Sequence, residues 1–556
     1  QSQGVGASLK HFAVNNQETD RLRINALVDE KTLREIYLNA FERVIRTSAP
    51  WTVMCSYNRL NGIYASQHEW LLTEVLRGEW NFDGLVMSDW GAVDDAVSAL
   101  AAGLDLEMPS SNGVGSQQVV NAIRTGQLNA AVLDVAIGRL VRLLKRSGSK
   151  TETESPFSLG EHHELAREAA GQSIVLLKNQ NSILPLGDNL SRVGVVGEFA
   201  RSPRFQGAGS SMVNPTRVDS ALNALRERLG ERAQIDFAAG FGVDDPQADD
   251  DLLLEEAVDV ARRSDVVLVF LGLPASSESE GFDRVHLDLP ASQLRVLEAV
   301  RVVNSRVVVV LSNGGVVETS SWEPHADAIL ETWLAGQASG AAVVDVLVGD
   351  VNPSARLTES IPERLADTPA FINFPGVDGE VRYGEGIFVG YRYYDVTERS
   401  VSYPFGHGLS YTTFDYRGLE VIRVDDEELP ETLLEWRGPK RLRVSVTVQN
   451  VGHRAGQEVV QLYVGGVTRQ REDCVRELKG FRKISLDAGA SERVYFTLYQ
   501  RDLSAWSLRA NDWVARSGSW EVCVGASSRD LRLRLAFTLP ESTSLLPLNR
   551  LSTVQE

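Results

Sequence analysis

The sequence predicts a multidomain protein in which α/β domains are followed by an all-β domain. Its 556 residues exceed what one hydrophobic core usually supports, so we expect roughly two to four domains. Up to about residue 395, short apolar runs alternate with amphipathic helical stretches, which is typical of parallel strands joined by crossover helices. From about residue 415, apolar and polar residues alternate instead, as in an antiparallel β-sandwich.

In residues 1–147, four short apolar runs each end in polar side chains. These ends are Lys10 with His11, Ser56 with Tyr57, Asp89, and Asp105 with Glu107. Helical stretches separate the runs; KTLREIYLNAFERVIR, for example, places its apolar residues at helical spacing. Because parallel-strand enzymes keep their reacting groups at the C-terminal ends of strands, we expect a site there.

These four strand-and-helix units are half of what a closed β/α barrel contains. We therefore interpret residues 1–147 as the C-terminal half of such a barrel. The sequence opens as QSQGVGASLKHF, without an initiator Met or a signal peptide, and runs directly into a strand. We expect the N-terminal half to lie in a segment outside this sequence, to have been removed, or to be supplied by a second chain.

The stretch GLVMSDWGAV permits two interpretations of Asp89. In the structural one, Asp89 caps a helix that starts near Asp94, and Trp90 fills a gap in the packing. In the functional one, a buried strand holds the Asp89 carboxylate rigidly at the mouth of a site. The residues of this stretch alone do not decide between them.

Residues 161–395, after an expected linker at 148–160, are predicted to form an α/β sandwich. Apolar runs that begin at Val193, Val266, Arg306 and Ala328 are typical of buried parallel strands. The loop PASSESEGFDR follows the second run and holds Glu278, Glu280, Asp283 and Arg284. Taken alone, such a loop is more often a solvated turn with an Asp–Arg pair than a site.

Residues 415–540 are predicted to form an antiparallel sandwich of the immunoglobulin or fibronectin type. Their apolar and polar residues alternate, with turn residues between the runs. Nothing in this segment suggests chemistry, so we interpret it as a supporting domain. We expect a linker at 396–414 and a C-terminal tail at 541–556.

The composition argues against several classes of binding partner. A formal net charge of −19 argues against nucleic acid or an anionic membrane as the main partner. No apolar run is long enough to span a membrane. The three cysteines, Cys55, Cys474 and Cys523, predict neither a disulfide framework nor a zinc site. Location in the cytoplasm, in the periplasm or outside the cell stays open.

Seven stretches occur together in the order found in one enzyme family. They are KHFAVNNQETDR, LLTEVLRGEWNFDGLVMSDWGA, AGLDLEMP, SEGFDR, LAGQASGAAVVDVLVGDVNPSARLTESIP, YGEGIFVGYRYYD and YPFGHGLSYTTF. Through them nearly the whole chain resembles glycoside hydrolase family 3, most closely its bacterial β-glucosidases. The resemblance implies a TIM-type β/α barrel, an α/β sandwich and a fibronectin type III-like domain, with the active site between the first two.

The resemblance also implies roles for particular residues. Asp89 aligns with the family's nucleophile, and Glu280 with its general acid/base. The residues that fall where the family binds the non-reducing-end sugar are Lys10, His11, Met54, Tyr57 and Trp90. The loop QGAGSSMVNP, at 206–215, matches a loop that approaches the same pocket. Loop position alone leaves Glu278 as a rival to Glu280.

The chemistry of glycosidic bond cleavage fits these residue types. One carboxyl attacks or stabilises the anomeric carbon, and a second protonates the leaving oxygen. Lys10 and His11 are placed to favour an ionised Asp89. A loop crowded with acids such as Glu278 and Asp283 favours a protonated Glu280. Two carboxyls suffice for this reaction, so we expect no cofactor and no metal.

We expect a retaining, exo-acting β-glucosidase that releases terminal β-D-glucosyl residues from small β-glucosides or oligosaccharides. A β-xylosidase or another β-glycosidase of the same family stays open as an alternative. A catalytically inactive sugar-binding homologue is a second alternative, because half of the barrel is not found. Linkage, aglycone preference and the formation of a homo-oligomer are also left open.

Overall fold

The computed structural model describes residues 1–148, 157–243, 251–424, 441–467, 473–539 and 543–544. The chain folds into two compact units. Unit 1 comprises Gln1–Pro156, Ala370–Ile387 and Trp506–Asn511. Unit 2 comprises Phe157–Pro369, Phe388–Ala505 and Asp512–Glu556. Within the described residues, no helix is both long and apolar enough to cross a membrane.

A parallel sheet forms the centre of unit 1. Its strands lie in the order Ser8–Phe12, Thr52–Cys55 and Leu85–Ser88, and Leu106 adds a parallel bridge to Met87. The helices of this unit span Glu30–Thr32, Leu33–Tyr37, Asn39–Ser48, Ala65–Gln67, Trp70–Glu79, Ala96–Ala102, Val114–Arg124 and Ala130–Ser147. These elements confirm the predicted alternation of strand and helix.

Individual residues determine where the strand Leu85–Ser88 begins and where the next helix, Ala96–Ala102, begins and ends. A Cβ at Gly84 would lie 2.5 Å from the Trp51 carbonyl oxygen, so only glycine fits at the start of the strand. Asp95 caps the helix Ala96–Ala102 by accepting the backbone N–H of Ser98 at 2.6 Å. Gly103, at φ +109°, ends this helix in the left-handed conformation.

A second sheet in unit 1 includes a segment from far along the chain. Its strands, in order, are Glu380–Arg382, Asn25–Leu27, Arg59–Leu60 and Ile63–Tyr64. Residues 370–387 were assigned to the α/β sandwich by the sequence, but Glu380–Arg382 pairs in parallel with Asn25–Leu27. Backbone pairing therefore draws this segment into unit 1.

The segment Trp506–Asn511 joins unit 1 as well, although the sequence placed it in the fibronectin-type domain. The buried Arg34 guanidinium lies 4.5 Å from the Trp506 ring centroid and 5.2 Å from that of Trp70. The backbone N–H of Trp506 donates to Glu35 Oε1 at 2.8 Å. Cation–π contact and a charge-assisted hydrogen bond thus anchor the segment.

Unit 2 contains a six-stranded sheet. Its strands, in order, are Val175–Asn179, Ala328–Glu331, Val307–Ser312, Val266–Gly272, Arg192–Val196 and Gln234–Ala238, all parallel except the first. The helices of this region span Leu159–Ser173, Gln180–Ser182, Glu198–Ala200, Ala221–Leu229, Asp251–Arg262, Ala291–Val303, Glu323–His325, Ser339–Val348, Leu365–Asp367 and Tyr391–Val396. The four strands predicted from apolar runs are the central four of the sheet.

The C-terminal part of unit 2 is a β-sandwich, as predicted. One sheet holds Phe414–Val424, Arg441–Asn450 and Ser491–Tyr499, and the other Glu477–Leu486, Gly456–Gly466, Gly518–Gly525 and Leu531–Leu539. Further short elements are Ile361–Pro362, Val401–Tyr403, Gln500–Leu503, Ser504–Ser507, Asp512–Ala515 and Thr543–Ser544. The buried ion pair of Arg356 with Glu458, at 2.8 Å, joins this sandwich to the α/β part. Most of the predicted linker 148–160 and tail 541–556 lies outside the described residues.

Candidate active site

Asp89 follows the buried strand Leu85–Ser88 directly and is itself buried. Its Oδ1 accepts the backbone N–H of Trp90 at 2.7 Å. Its Oδ2 is buried and accepts no hydrogen bond from the described residues, while His11 Nε2 lies 3.3 Å away. Because buried carboxylate oxygens normally have hydrogen-bond partners, this oxygen is set apart as a candidate reacting atom.

The helix-capping interpretation of Asp89 does not hold. Asp95, six residues further on, caps the helix Ala96–Ala102 through the N–H of Ser98. Among the described residues, the Asp89 carboxylate accepts a hydrogen bond only from the next residue, Trp90. Asp89 therefore contributes little to starting the helix, and its second oxygen is left for another role.

His11 lies beside Asp89 and has a lowered pKa. Burial lowers the pKa of His11, the charge of Lys10 lowers that pKa further, and Asp89 opposes both. The lowered pKa of His11 favours the uncharged imidazole, which stabilises an ionised Asp89 less than an imidazolium would. Lys10, the other basic residue predicted beside Asp89, is exposed.

The other predicted sugar-binding residues differ in exposure. Met54 lies in the strand Thr52–Cys55 beside Met87, and Tyr57 follows the same strand; each is 9% exposed. The Arg21 guanidinium lies 5.3 Å from the centroid of the Tyr57 ring. The Trp90 indole is 53% exposed, which leaves an aromatic face beside Asp89 for an apolar surface of a ligand.

Glu280 lies in unit 2 on the exposed loop that follows the strand Val266–Gly272. Its Oε2 accepts the backbone N–H of Ser210 at 2.6 Å and also the Ser210 hydroxyl. Ser210 belongs to the loop at 206–215 that the family resemblance singled out. Its contact with Glu280 was not predicted, because the two residues are 70 positions apart.

Glu278 has a different environment from Glu280. Its two carboxylate oxygens accept the backbone N–H groups of Gly314, at 2.8 Å, and Gly315, at 2.6 Å. Its carbonyl oxygen accepts Nη2 of Arg204 at 3.1 Å. Both Glu278 oxygens are thus committed to holding the neighbouring loop, whereas Glu280 is exposed.

Gly209 allows Ser210 to approach Glu280. It has φ +89°, and a Cβ there would lie 2.5 Å from Glu280 Cβ. If Glu280 has the acid/base role that the family resemblance implies, Gly209→Ala should displace its side chain and lower kcat/KM about 100-fold, because small shifts of a reacting group are costly. Steady-state kinetics of the parent and the variant measure this loss.

Gly336→Ala is the matched control for Gly209→Ala. Gly336 also has positive φ, at +81°, but a Cβ there would meet no atom within 4 Å. The variant Gly336→Ala therefore introduces similar backbone strain but no contact with Glu280. Equal losses of activity in both variants would attribute the effect to strain and contradict the prediction.

Glu331 is a fully buried acid at the end of the strand Ala328–Glu331. Its oxygens accept the N–H of Trp333 at 3.0 Å and Nδ2 of Asn313 at 3.1 Å. Burial raises the pKa of Glu331 from 4.5 to about 8. Between these values the folded protein holds a proton that the unfolded chain does not, so stability is highest below the lower value and falls as pH rises.

We expect Glu331→Gln to flatten the fall of Tm between pH 5 and about pH 9, because the amide does not titrate. Thermal unfolding followed across this pH range for both proteins tests the expectation. Glu298→Gln, on the exposed face of the helix Ala291–Val303, is the control and should keep the slope of the parent. Parallel curves for the parent and Glu331→Gln would exclude this titration.

Family models match the chain in three places. The glycosyl hydrolase family 3 N terminal domain matches residues 1–143, the glycosyl hydrolase family 3 C-terminal domain matches 174–411, and the fibronectin type III-like domain matches 458–528. The first two matches contain Asp89 and Glu280, respectively. They define a glycoside hydrolase with an all-β accessory domain.

Individual relatives extend these matches over 96–100% of the chain. Thermostable beta-glucosidase B of Acetivibrio thermocellus is 45% identical over 96% of this chain and 69% of its own length. An exo-alpha-(1->6)-L-arabinopyranosidase of Bifidobacterium longum is 46% identical over 100% of this chain and 72% of its own. The chain belongs to glycoside hydrolase family 3.

Solved structures agree with this assignment. The GH3 beta-glucosidase of Bifidobacterium adolescentis superposes with a TM-score of 0.92 at 46% identity, covering 100% of this chain and 79% of that one. Beta-glucosidase 3B of Thermotoga neapolitana gives 0.88 at 35% identity, covering 98% and 79%. Both support the predicted combination of α/β domains and a fibronectin-like sandwich.

Proposed function

We propose that this glycoside hydrolase is a retaining, exo-acting β-glucosidase that works by double displacement. The observation that carries the proposal is the buried Asp89 Oδ2, which has no hydrogen-bond partner among the described residues and lies 3.3 Å from His11 Nε2. A rigid carboxylate with one oxygen held and the other available suits attack on an anomeric carbon.

In the first step, Asp89 Oδ2 forms a bond to the anomeric carbon while the bond from that carbon to the leaving oxygen breaks. Glu280 transfers its proton to the leaving oxygen, so the aglycone departs as a neutral alcohol. The product is a glycosyl ester of Asp89. The Trp90 N–H, which donates to Asp89 Oδ1 at 2.7 Å, orients the attacking carboxylate.

In the second step, Glu280, now ionised, takes a proton from water. The water oxygen bonds to the anomeric carbon, and the ester bond to Asp89 breaks. Two inversions give net retention of configuration. The hydrogen bonds from Ser210 to Glu280 Oε2 hold the carboxyl in place for both steps.

We propose that five side chains bind the terminal sugar. Lys10 and His11 donate hydrogen bonds to its hydroxyls, and the exposed indole of Trp90 packs against its C–H face. Met54 and Tyr57, both buried at the same strand, shape the wall of the pocket. The exposure of Trp90 and the burial of Met54 and Tyr57 support this division of roles.

An α-L-arabinopyranosidase is a second candidate, because a relative that carries this activity in its name is 46% identical over the whole chain. An α-L-arabinopyranoside lacks the hydroxymethyl group of a β-D-glucoside and has an axial hydroxyl at C4. A β-D-xyloside lacks only the hydroxymethyl group. Selection between the three therefore depends on contacts around C4 and C5 of the sugar.

The test compares kcat/KM for the p-nitrophenyl β-D-glucopyranoside, β-D-xylopyranoside and α-L-arabinopyranoside. We expect the glucoside to be preferred, and proton NMR of the first product to show the β anomer. Preference for the arabinopyranoside would replace the proposed substrate, and an α anomer would exclude retention. No hydrolysis of any of the three would favour an inactive sugar-binding homologue.

A further inference from the structure

The half-buried guanidinium of Arg204 donates to three backbone carbonyls in two loops of unit 2. Nε donates to the Leu273 oxygen at 3.2 Å, and Nη2 to the Glu278 oxygen at 3.1 Å. Nη1 donates to the oxygen of Gln206. The first two acceptors precede Glu280 in the chain, and the third lies at the base of the loop that carries Ser210.

The loop of Ser210 is itself closed by a side chain. The Gln206 amide donates to the carbonyl of Val213 at 3.1 Å and accepts the N–H of the same residue at 3.0 Å. At the far side of this loop, Ser210 donates to Glu280 Oε2. A ring of contacts therefore runs from Arg204 through both loops to the Glu280 carboxyl.

We propose that Arg204 is a positioning residue for the acid/base carboxyl: it ties the loop at 206–213 to the loop at 273–280, so that Ser210 holds Glu280 in place. The inference rests on the proposed role of Glu280. Arg204 touches neither substrate nor the reacting atoms in this scheme. It acts through the backbone of the two loops, at carbonyls of Leu273, Glu278 and Gln206.

Arginine suits this task better than lysine. Its planar guanidinium presents several N–H donors in a fixed fork, so one side chain reaches three carbonyls in different directions. A lysine at position 204 keeps the positive charge but not the fork. Arg204→Lys thus separates the geometric tie from the charge, and Arg204→Met removes both.

The test uses the dependence of the first chemical step on the leaving group. A 2,4-dinitrophenyl glucoside needs little protonation of its leaving oxygen, whereas methyl β-D-glucoside depends on it. We expect Arg204→Lys and Arg204→Met to lower kcat/KM for the methyl glucoside about 10- to 100-fold, with little change for the dinitrophenyl glucoside. Azide should raise turnover of the dinitrophenyl glucoside by Arg204→Met, because azide does not need a general base.

Arg201→Met is the matched control. Arg201 lies three positions away, is exposed, and pairs with Glu198 at 2.6 Å. It should leave both kcat/KM values as in the parent. If Arg204→Met fails to fold, the milder Arg204→Lys variant still allows kcat/KM for the methyl glucoside to be compared with kcat/KM for the dinitrophenyl glucoside.

Two results would overturn the inference: equal losses on both substrates, as expected from a purely structural role, or no loss on either. Glu280→Ala, measured alongside, separates this failure from failure of the proposed function. If Glu280→Ala shows the leaving-group dependence and the Arg204 variants do not, the positioning role alone is wrong. If Glu280→Ala does not show it, the acid/base assignment is wrong, and the inference falls with it.

Discussion

Replacing Asp89 by Asn is expected to lower kcat by about 10⁴-fold or more, the largest loss at any position of the chain. In the proposed mechanism, an amide does not supply the carboxylate that forms the glycosyl ester, and removal of a covalent nucleophile typically has effects of this size. The fold should persist, because the Trp90 N–H can donate to the side-chain amide oxygen of the variant in place of Asp89 Oδ1. Unchanged Tm alongside lost turnover would show this.

A mechanism-based label tests the same residue in the parent enzyme. Incubation with a 2-fluoro-glucoside should add the mass of one fluorinated sugar to the intact protein, and digestion should locate the added mass on Asp89. Asp94→Asn, at an exposed neighbour, is the control and should keep both turnover and labelling. A label on another carboxylate would remove Asp89 from the nucleophile's role.

Replacing Glu280 by Ala is expected to produce the second largest effect, about 10²- to 10⁴-fold on substrates with poor leaving groups. With the dinitrophenyl glucoside the first step should survive, and the ester on Asp89 should accumulate because no base activates water. Azide should then restore turnover and give a β-glucosyl azide, since an anion attacks without a general base. Product analysis by NMR and burst kinetics measure both effects.

Glu278→Gln is the comparison that separates the two neighbouring acids. In Glu278→Gln, the side-chain NH₂ faces one of the N–H groups of Gly314 and Gly315, so the loop loses an acceptor. We expect a moderate loss of activity that azide does not restore. If azide restored the activity of Glu278→Gln but not that of Glu280→Ala, the acid/base role would pass from Glu280 to Glu278.

The sequence predicted the central elements of the fold better than the peripheral ones. Long apolar runs such as Val266–Gly272 can only be buried, and they do form the middle of the six-stranded sheet. Gln234–Ala238 was missed, because an edge strand with partly exposed residues leaves a weak pattern. Glu380–Arg382 was missed because three residues become a strand only through a partner far away in the chain.

For the candidate site as well, the sequence pointed to residues that carry a local signal but not to contacts that depend on tertiary placement. Strand ends in the sequence pointed to His11 and Asp89, and the family resemblance proposed site roles for Asp89, His11 and Trp90. The resemblance named the loop that carries Ser210, but neither the contact of Ser210 with Glu280 nor the contacts of Arg204 were predicted, because they join residues about 70 positions apart. Such loop-to-loop hydrogen bonds depend on tertiary placement and leave no periodic signal in the chain.

The discontinuous make-up of unit 1 has a consequence for biosynthesis. Its strand Glu380–Arg382 and its anchoring segment Trp506–Asn511 emerge from the ribosome long after residues 1–148. During synthesis, unit 1 therefore stays incomplete until residue 511 has left the ribosome. Until Glu380–Arg382 has emerged, the strand Asn25–Leu27 lacks this partner. A gene fragment that stops at residue 369 would omit both pieces, so truncation is a poor way to isolate the region that contains Asp89.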